Sequence, residues 1–220
     1  MKSGYPYLQH FLCLLPLCAL LCCLLFCFGS EKEVVLFFNS YRDMHPVLTR
    51  VMYLFTTWGN APFYLVYGSL LFWGVRHERP ELVRFALAYL LAQALVALLL
   101  GRILKIAIGR PRPMTGGPFT HFALDPAHNS MPSGHTTEIT GACLPLAQRY
   151  GRYLLPLLLG LIIAAMGFSR IYLSMHFISD IAGGVALGIM SGYCAWRFGQ
   201  WPLYWWRRNK GKIRMPRRGV

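Results

Sequence analysis

The sequence predicts an all-α membrane protein, a polytopic helical bundle with about six transmembrane helices. Hydrophobic residues make up 55% of its 220 residues and the mean hydropathy is +0.42, well above the range of an average soluble domain. Apolar stretches of about 20 residues recur along the chain, and this is the length that a helix needs to cross the hydrocarbon core.

The net charge of the protein is strongly positive, which indicates negatively charged partners. It is +14, from 22 Lys and Arg against 8 Asp and Glu, and this excess would suit nucleic acid, anionic lipid headgroups or an anionic substrate. Because membrane spans are also predicted, we expect contact with the bilayer and an anionic substrate, and no nucleic-acid partner.

The predicted spans differ in how clearly hydropathy marks them. The first is interpreted as a retained helix, because its apolar part is longer than the h-region of a signal peptide and no small-residue cleavage site follows it. The fourth is the weakest, since His135, Glu138 and Arg149 interrupt it and Pro145 is expected to bend it. The six predicted spans are 10–29, 58–76, 84–104, 134–150, 152–170 and 177–198.

Small residues within the spans are predicted to serve packing. Gly184, Gly188 and Gly192 recur every four residues, which predicts that the sixth span packs closely on a neighbouring helix. The cysteines show no Cys/His spacing typical of zinc, and within the hydrocarbon they are most simply small packing residues. Five of the seven lie in the first span: Cys13, Cys18, Cys22, Cys23 and Cys27.

The distribution of Lys and Arg predicts the orientation. The tail after the sixth span contains seven of them and no acid, so it is expected to be cytoplasmic and to bind anionic headgroups. Trp201, Trp205 and Trp206 are typical of a membrane interface. Six spans then place the connections at 30–57, 105–133 and 170–177 outside. The predicted division is 1–57 (first span and outer loop), 58–198 (core) and 199–220 (basic tail).

The outer side has an unexpected excess of cations. Lys105, Arg110, Arg112 and Arg170 lie on the face that the positive-inside rule leaves poor in positive charge. After Glu81 the chain has only three carboxylates to neutralise them: Asp125, Glu138 and Asp180. Such cations indicate an external anion, for which phosphate suits both arginine and lysine, although an exposed basic loop is the simpler alternative.

The stretch "SMPSGHTTE" (130–138) adds the features of an anion-binding turn. Pro132 favours the start of a helix, and Ser133 and Gly134 place a hydroxyl and unhindered N–H groups at its positive end. His135 follows with a side chain that can give or take a proton near neutral pH. A histidine at a helix start is also a common cap, so this turn does not establish catalysis alone.

The stretch "SRIYLSMHFISD" (169–180) contains a histidine and an acid at helical spacing. If a helix begins here, His176 and Asp180 share one face, and the carboxylate can hold one ring nitrogen while the other points outward as a nucleophile. Arg170 lies on the connection and can fold back to the same anion. A buried His–Asp pair that serves only packing is the alternative, but ionisable groups at spans are usually functional.

Together these three stretches resemble the signature of the type-2 phosphatidate phosphatase and vanadium haloperoxidase superfamily. The signature reads K-x6-R-P, P-S-G-H and S-R-x5-H-x3-D, and every position is present in order, with 18 and 33 residues between successive motifs. The resemblance covers about residues 60–198. The matching residues are Lys105, Arg112, Pro113, Pro132, Ser133, Gly134, His135, Ser169, Arg170, His176 and Asp180.

The resemblance implies a helical bundle in which the three motifs surround a phosphoryl group without a metal or other cofactor. His176 would form a phosphohistidine, Asp180 would fix its tautomer, and His135 would protonate the leaving group and then activate water. The groups expected to hold the phosphoryl oxygens are Lys105, Arg112, Ser133, Gly134 and Arg170. Glu138 and Arg110 are outside the signature. Glu138 could tune His135, meet a headgroup or make a plain interhelical hydrogen bond.

The expected function is that of an integral membrane lipid phosphatase of a bacterial inner membrane, with its site facing the periplasm. Lipid A 1-phosphate and undecaprenyl diphosphate are the favoured substrates, and phosphatidylglycerophosphate and phosphatidate are alternatives. A non-catalytic protein that binds or transports phosphorylated lipids is a further alternative, but binding alone requires no His–Asp pair. A haloperoxidase is disfavoured, because the resemblance implies that haloperoxidases of this superfamily are soluble whereas this site lies among predicted spans.

Overall fold

The computed structural model describes residues 6–200, and over that range the protein is helical with no strand, as predicted for the fold class. The segment Gln93–Leu100 is π-helical and joins α5 to α6 in one continuous helix, and Pro126–His128 forms a 3-10 turn. The predicted basic tail and its tryptophans lie outside the described residues. The α-helices are α1 (Pro6–Phe28), α2 (Glu31–Met44), α3 (Pro46–Trp58), α4 (Ala61–Arg76), α5 (Pro80–Ala92), α6 (Gly101–Ile108), α7 (Gly134–Tyr150), α8 (Leu154–Tyr172) and α9 (Ile178–Gly199).

Four of the described helices are long and apolar enough to cross a membrane: Tyr7–Phe28, Pro80–Ile108, Leu154–Tyr172 and Ile178–Gly199. They coincide with the first, third, fifth and sixth predicted spans. The second and fourth predicted spans correspond to α4 and α7, which have 16 and 17 residues. The chain is therefore a multi-pass membrane protein, and the count of six passes stays a prediction.

The stretch 30–57, predicted as an outer loop, forms the helices α2 and α3. The Ser30 hydroxyl accepts a hydrogen bond from the Glu33 N–H (3.3 Å), and Glu31 and Glu33 place negative charge in the first turn of α2, where the helix dipole favours it. Arg42 at the other end of α2 donates to the Tyr172 carbonyl (2.6 Å) and so fastens α2 to the end of α8. These helices are short and α2 is charged, so neither one resembles a span in the sequence.

Helix α7 lies at the centre of the bundle and packs between α8 and α9. Apart from Glu138, which is partly buried, every residue from Thr136 to Gln148 is buried. A helix that is surrounded by other helices has no face in contact with lipid, so it can contain threonines and a glutamate that a lipid-facing helix would exclude. This explains why hydropathy marks it so weakly.

Glycines on α9 allow it to lie close to α7. A Cβ atom at Gly184 would be 2.6 Å from the Ser133 carbonyl oxygen, and one at Gly188 would be 2.6 Å from the Thr140 Cβ atom. Neither distance is sterically possible, so the helices can approach this closely only with glycine at both positions. The predicted close packing of the sixth span is confirmed.

The end of α6, the start of α7, the end of α8 and the start of α9 all meet at one end of the bundle. The Ser133 N–H donates to the Asp180 carbonyl (3.0 Å), and the Ser130 N–H donates to the Arg110 carbonyl (3.0 Å). These bonds tie together the segments that contain the three sequence motifs. The fold thus collects residues from 105 to 180 in one region.

Candidate active site

The first motif segment leaves α6 through a left-handed glycine. Gly109 has φ +60°, and a side chain there would collide with the backbone of Thr120, whose N–H donates to the Gly109 carbonyl (2.8 Å). The turn separates Lys105, on the last turn of α6, from Arg112 in the following loop. Lys105 Nζ donates to the Asn129 carbonyl (3.3 Å), and Arg112 Nε donates to the Pro126 carbonyl (3.1 Å).

The second motif forms the start of α7, with Ser133 as the N-cap and Gly134 as the first helical residue. The helix therefore begins two residues after Pro132, at which it was predicted to start. Ser133 is fully buried, and its Oγ accepts a hydrogen bond from Thr136 Oγ1 (3.0 Å). A Cβ atom at Gly134 would lie 3.9 Å from Lys105 Nζ, which places the lysine amine beside the N-terminus of α7.

His135 and Glu138 lie next to each other on α7 but have different surroundings. The His135 ring makes no hydrogen bond to another residue within 6–200, and it is only partly buried. Glu138 accepts a hydrogen bond from Asn60 Nδ2 (2.9 Å), at the start of α4. Of the three roles considered for Glu138, the structure shows an interhelical hydrogen bond.

The third motif places His176 in the loop between α8 and α9, almost completely buried. Its Nδ1 atom lies 3.6 Å from Asp180 Oδ2 and 3.5 Å from Ser130 Oγ. Burial lowers the pKa of His176 to about 3. Asp180 acts in the opposite direction, and the positive charges of Arg170 and Lys105 lower the pKa further. The ring is therefore neutral at physiological pH, with Nδ1 turned toward Asp180.

The spacing predicted that His176 and Asp180 share one face of a helix. Instead, Asp180 lies in the first turn of α9 and His176 lies before the helix begins. The two side chains still meet, because His176 directly precedes the helix. Asp180 Oδ2 accepts hydrogen bonds from the Phe177 N–H (2.8 Å) and from the Ser130 hydroxyl (2.6 Å), and Arg110 Nη1 is 2.7 Å from Oδ1. The carboxylate is fully buried and is held at both oxygens.

Near this pair, several polar groups lack a hydrogen-bond or ion-pair partner among residues 6–200. Arg170 is buried and donates from Nη1 to Thr56 Oγ1 (3.2 Å), while its Nε has no partner among the described residues. Asn129 is 98% buried, and neither atom of its side-chain amide has a partner in this range. None of Lys105, Arg112 and Arg170 forms an ion pair with a carboxylate in the described part of the chain. Such groups are satisfied when an anion binds between them.

Sequence reasoning missed three members of this site, Glu31, Asn129 and Ser130, and left Arg110 without a role. Ser130 opens the "SMPSGHTTE" stretch, and its position next to the turn was the only signal for it. Glu31 gave no signal, since it contacts Arg110 and Ser179 across 79 and 148 residues of sequence. Between residues 6 and 200, no group of three or more His, Cys, Asp or Glu side chains is arranged to hold a metal ion.

Comparison with known proteins places this site in a family. Residues 81–204 match the PAP2 superfamily. The chain is 32% identical to lipid A 1-phosphatase of Rhizobium etli, with 46% of this chain and 45% of that protein aligned. It is 37% identical to decaprenylphosphoryl-5-phosphoribose phosphatase of Mycobacterium tuberculosis (46% and 54% aligned) and 32% identical to phosphatidylglycerophosphatase B of Bacillus subtilis (42% and 47% aligned).

The chain spans about half the length of these curated relatives. No solved structure matches it at a significant level. The family match covers more than half of the chain and includes the three motif segments that contain Lys105, His135 and His176. On these grounds, the chain belongs to the PAP2 superfamily.

Proposed function

We propose that this protein is an integral membrane lipid phosphatase that hydrolyses a phosphate monoester or diphosphate on a lipid headgroup. The observation that carries the proposal is a cluster of three cations beside a buried His176–Asp180 pair. Lys105 and Arg170 lie near His176, and Arg112 lies near both of these cations. None of the three has a carboxylate partner in the described residues. A phosphoryl group supplies the missing negative charge. The relatives named above are all phosphatases by name, which supports the same reaction class.

In the first step, His176 attacks the phosphorus atom. Because Nδ1 faces Asp180, the proton belongs on Nδ1, and the Nε2 lone pair is free to react. The Nε2–P bond forms while the bond from phosphorus to the leaving oxygen breaks, and His135 gives a proton to that oxygen. In the second step His135 removes a proton from water, the water oxygen attacks phosphorus, and the N–P bond breaks to release phosphate.

The cations and amides stabilise the charge that accumulates on the transferred group. Lys105, Arg112 and Arg170 face the equatorial oxygens, and the Gly134 N–H and Ser133 hydroxyl at the N-terminus of α7 donate to the same oxygens. The Asn129 side-chain N–H groups have no partner among the described residues, and the backbone carbonyl of Asn129 contacts Lys105, so this amide is a further candidate contact. Removing one preorganised donor of this type typically lowers kcat by about 10²- to 10³-fold.

We infer that the reaction requires no metal ion or other cofactor. Asp180, which contacts His176, and Glu31, which is linked to Asp180 through Arg110, are both ion-paired with Arg110. Neither is available as the bridging ligand that a two-metal phosphatase needs. Charge compensation therefore comes from the arginine and lysine side chains.

The proposed topology has six passes in a bacterial inner membrane, with the site facing the periplasm and the basic tail in the cytoplasm. The tail then contacts anionic headgroups, and no nucleic acid is involved. A site at the outer surface favours lipid A 1-phosphate or undecaprenyl diphosphate as the substrate. Phosphatidylglycerophosphate and phosphatidate are the alternatives, since their phosphates reach the same surface.

The test is phosphate release by the purified protein from a panel of these four lipids, with and without EDTA. We expect release from at least one lipid, equal rates in EDTA, and loss of release in His176→Ala. His77→Ala is the matched control, because His77 follows α4 and its ring packs on Trp73, away from the three motifs. Binding without turnover in the wild-type protein would favour a lipid-binding protein, and activity that needs added magnesium would refute the metal-free reaction.

A further inference from the structure

A chain of two ion pairs runs from the His176–Asp180 pair to the N-terminal part of the protein. Arg110 Nη1 lies 2.7 Å from Asp180 Oδ1, and Arg110 Nη2 lies 2.6 Å from Glu31 Oε1. The exposed fractions of the side chains are 0% for Asp180, 11% for Arg110 and 29% for Glu31. Short charge-assisted bonds that are this well shielded from water interact more strongly than surface ion pairs.

Further contacts hold each residue of these two ion pairs in place. Glu31 Oε2 accepts hydrogen bonds from the Ser179 N–H (3.1 Å) and Ser179 Oγ (2.6 Å), so both oxygens of this carboxylate are bound. The Arg110 guanidinium carbon lies 4.4 Å from the centre of the Phe177 ring, and Arg110 Nη1 also donates to Ser179 Oγ (2.6 Å). Phe177 and Ser179, which both lie just before Asp180 in the sequence, therefore take part in holding Arg110 and Glu31.

The charges of Asp180, Arg110 and Glu31 set the net charge of the ion-pair network on the Nδ1 side of His176, opposite in sign to Lys105 and Arg170. Asp180 and Arg110 alone form a neutral pair, and Glu31 returns the total to −1. The imidazole ring becomes positively charged when Nε2 bonds to phosphorus, so a net negative charge behind Nδ1 stabilises that state more than the neutral ground state. An Arg110 without Glu31 would weaken this stabilisation.

We propose that Glu31 and Arg110 are positioning residues that hold Asp180 in place and keep the group behind His176 at a net charge of −1. The inference rests on the proposed function, in which His176 is the nucleophile. Glu31 begins α2 and lies outside the matched residues 81–204, so the N-terminal helices of this chain complete a site that the family region does not build alone.

The first test compares kcat and KM in five variants, one of which is the single variant Arg110→Gln. Glu31→Gln is expected to lower kcat about tenfold with KM within about twofold of the wild type, since it acts on the transition state and touches no substrate. Glu31→Asp keeps the charge and is expected to recover part of kcat. Glu33→Gln, an exposed carboxylate in the same helical turn, is the control and is expected to be unchanged. The fold-decrease in kcat of the double variant Glu31→Gln/Arg110→Gln is expected to be smaller than the product of the fold-decreases in the two single variants.

The second test needs no lipid substrate. Orthovanadate binds as a mimic of the five-coordinate phosphoryl group with a bond to the nucleophile, whereas inorganic phosphate binds without one. Glu31→Gln is expected to lower the ratio of vanadate to phosphate affinity at least threefold, and Glu33→Gln is expected to leave it unchanged. A wild-type protein without turnover would contradict the proposed function, whereas an unchanged affinity ratio in Glu31→Gln, or kcat losses that multiply, would overturn this inference alone.

Discussion

At the scale of single residues, the charged groups of the candidate site fall into two sets. The first is Asp180 with the groups that bond to it, and the second is three cations without a carboxylate partner in the described residues. Asp180 is saturated, with Phe177 and Ser130 on one oxygen and Arg110 on the other. The second set, Lys105, Arg112 and Arg170, donates only to neutral oxygens in the described residues. In the proposed reaction, the bonds of Asp180 orient the histidine ring and the three cations bind the phosphoryl group, as nucleophilic phosphoryl transfer requires.

Replacing Ser130 tests whether the hydrogen bonds of Asp180 matter for catalysis. Ser130→Ala removes a 2.6 Å hydrogen bond to the Asp180 carboxylate, and hydrogen bonds to charged groups contribute about 1.5–3 kcal/mol. We expect kcat to fall by about 10- to 100-fold with little change in KM. Ser191→Ala is the control in steady-state assays, because Ser191 is equally buried on α9 and its hydroxyl has no partner in the described residues. Equal rates for both variants would contradict the role of Ser130.

Prediction of individual residues from the sequence depended on their chemistry and on their neighbours along the chain. His135, His176 and Asp180 stand out because ionisable groups are rare beside apolar stretches, and the structure brings their segments together. Ser130 and Glu31 act through contacts 50 and 148 residues apart, to Asp180 and Ser179. Nothing in a local sequence pattern reports a contact of that kind.

At the scale of helices, the site is built from helix ends. The last turn of α6 supplies Lys105, the start of α7 supplies the Gly134 N–H, the end of α8 supplies Arg170 and the start of α9 supplies Asp180. Rigid helices fix these groups, while the polar loops between them stay at the end of the bundle. The close approach of α7 and α9, set by Gly184 and Gly188, keeps the second and third motifs in contact.

A substitution at Gly109 tests whether the tight turn after α6 holds the first motif in position. Gly109→Ala is expected to destabilise the protein and reduce activity, because the added Cβ collides with the Thr120 backbone in addition to the cost of positive φ. Gly116→Ala is the matched control, since Gly116 has φ +68° with open space around it, and should show only the conformational cost of about 1 kcal/mol. Thermal unfolding in detergent measures both. A Gly109→Ala protein as stable as Gly116→Ala would rule out the tight turn.

The helices themselves were predictable to different degrees. Four long apolar stretches matched observed helices because lipid-facing helices must be apolar almost throughout. Helices α2 and α3 were missed because they are held by tertiary contacts, such as the bond from Arg42 to the Tyr172 carbonyl, and not by hydropathy. The burial of α7 explains why its sequence is the most polar of the predicted spans.

At the scale of the whole molecule, the proposed topology depends on how α3, α4 and α7 relate to the bilayer. Helix α7 is roughly 26 Å long at 1.5 Å per residue, close to the hydrocarbon thickness of about 30 Å, and its neighbours shield it from lipid. Helix α4 is of similar length, and α3 directly precedes it through Gly59 and Asn60, which both have helical backbone angles. If α4 and α7 both cross the membrane, the number of passes is six, and the two ends of the chain lie on the same side.

The seven cations of the tail predict that the C-terminus is cytoplasmic, and six passes then place the loop with Thr120 in the periplasm. A reporter fused after residue 220 should show a cytoplasmic tail, and a cysteine introduced at the exposed Thr120 should react with an impermeant thiol reagent in intact cells. The native cysteines are replaced first to remove their background. A periplasmic tail, or a Thr120 site that is labelled only after lysis, would overturn the topology and the preference for outer-leaflet lipids.

The most direct test of the central claim is rapid-quench labelling of the enzyme with a substrate that contains radioactive phosphate. We predict an acid-labile phosphoenzyme that forms before phosphate release in the wild type, is absent from His176→Ala, and still accumulates in part in His135→Ala, where the second step lacks its base. Full labelling in the presence of EDTA is also expected. A phosphoenzyme that persists in His176→Ala would contradict the assignment of His176 as the nucleophile.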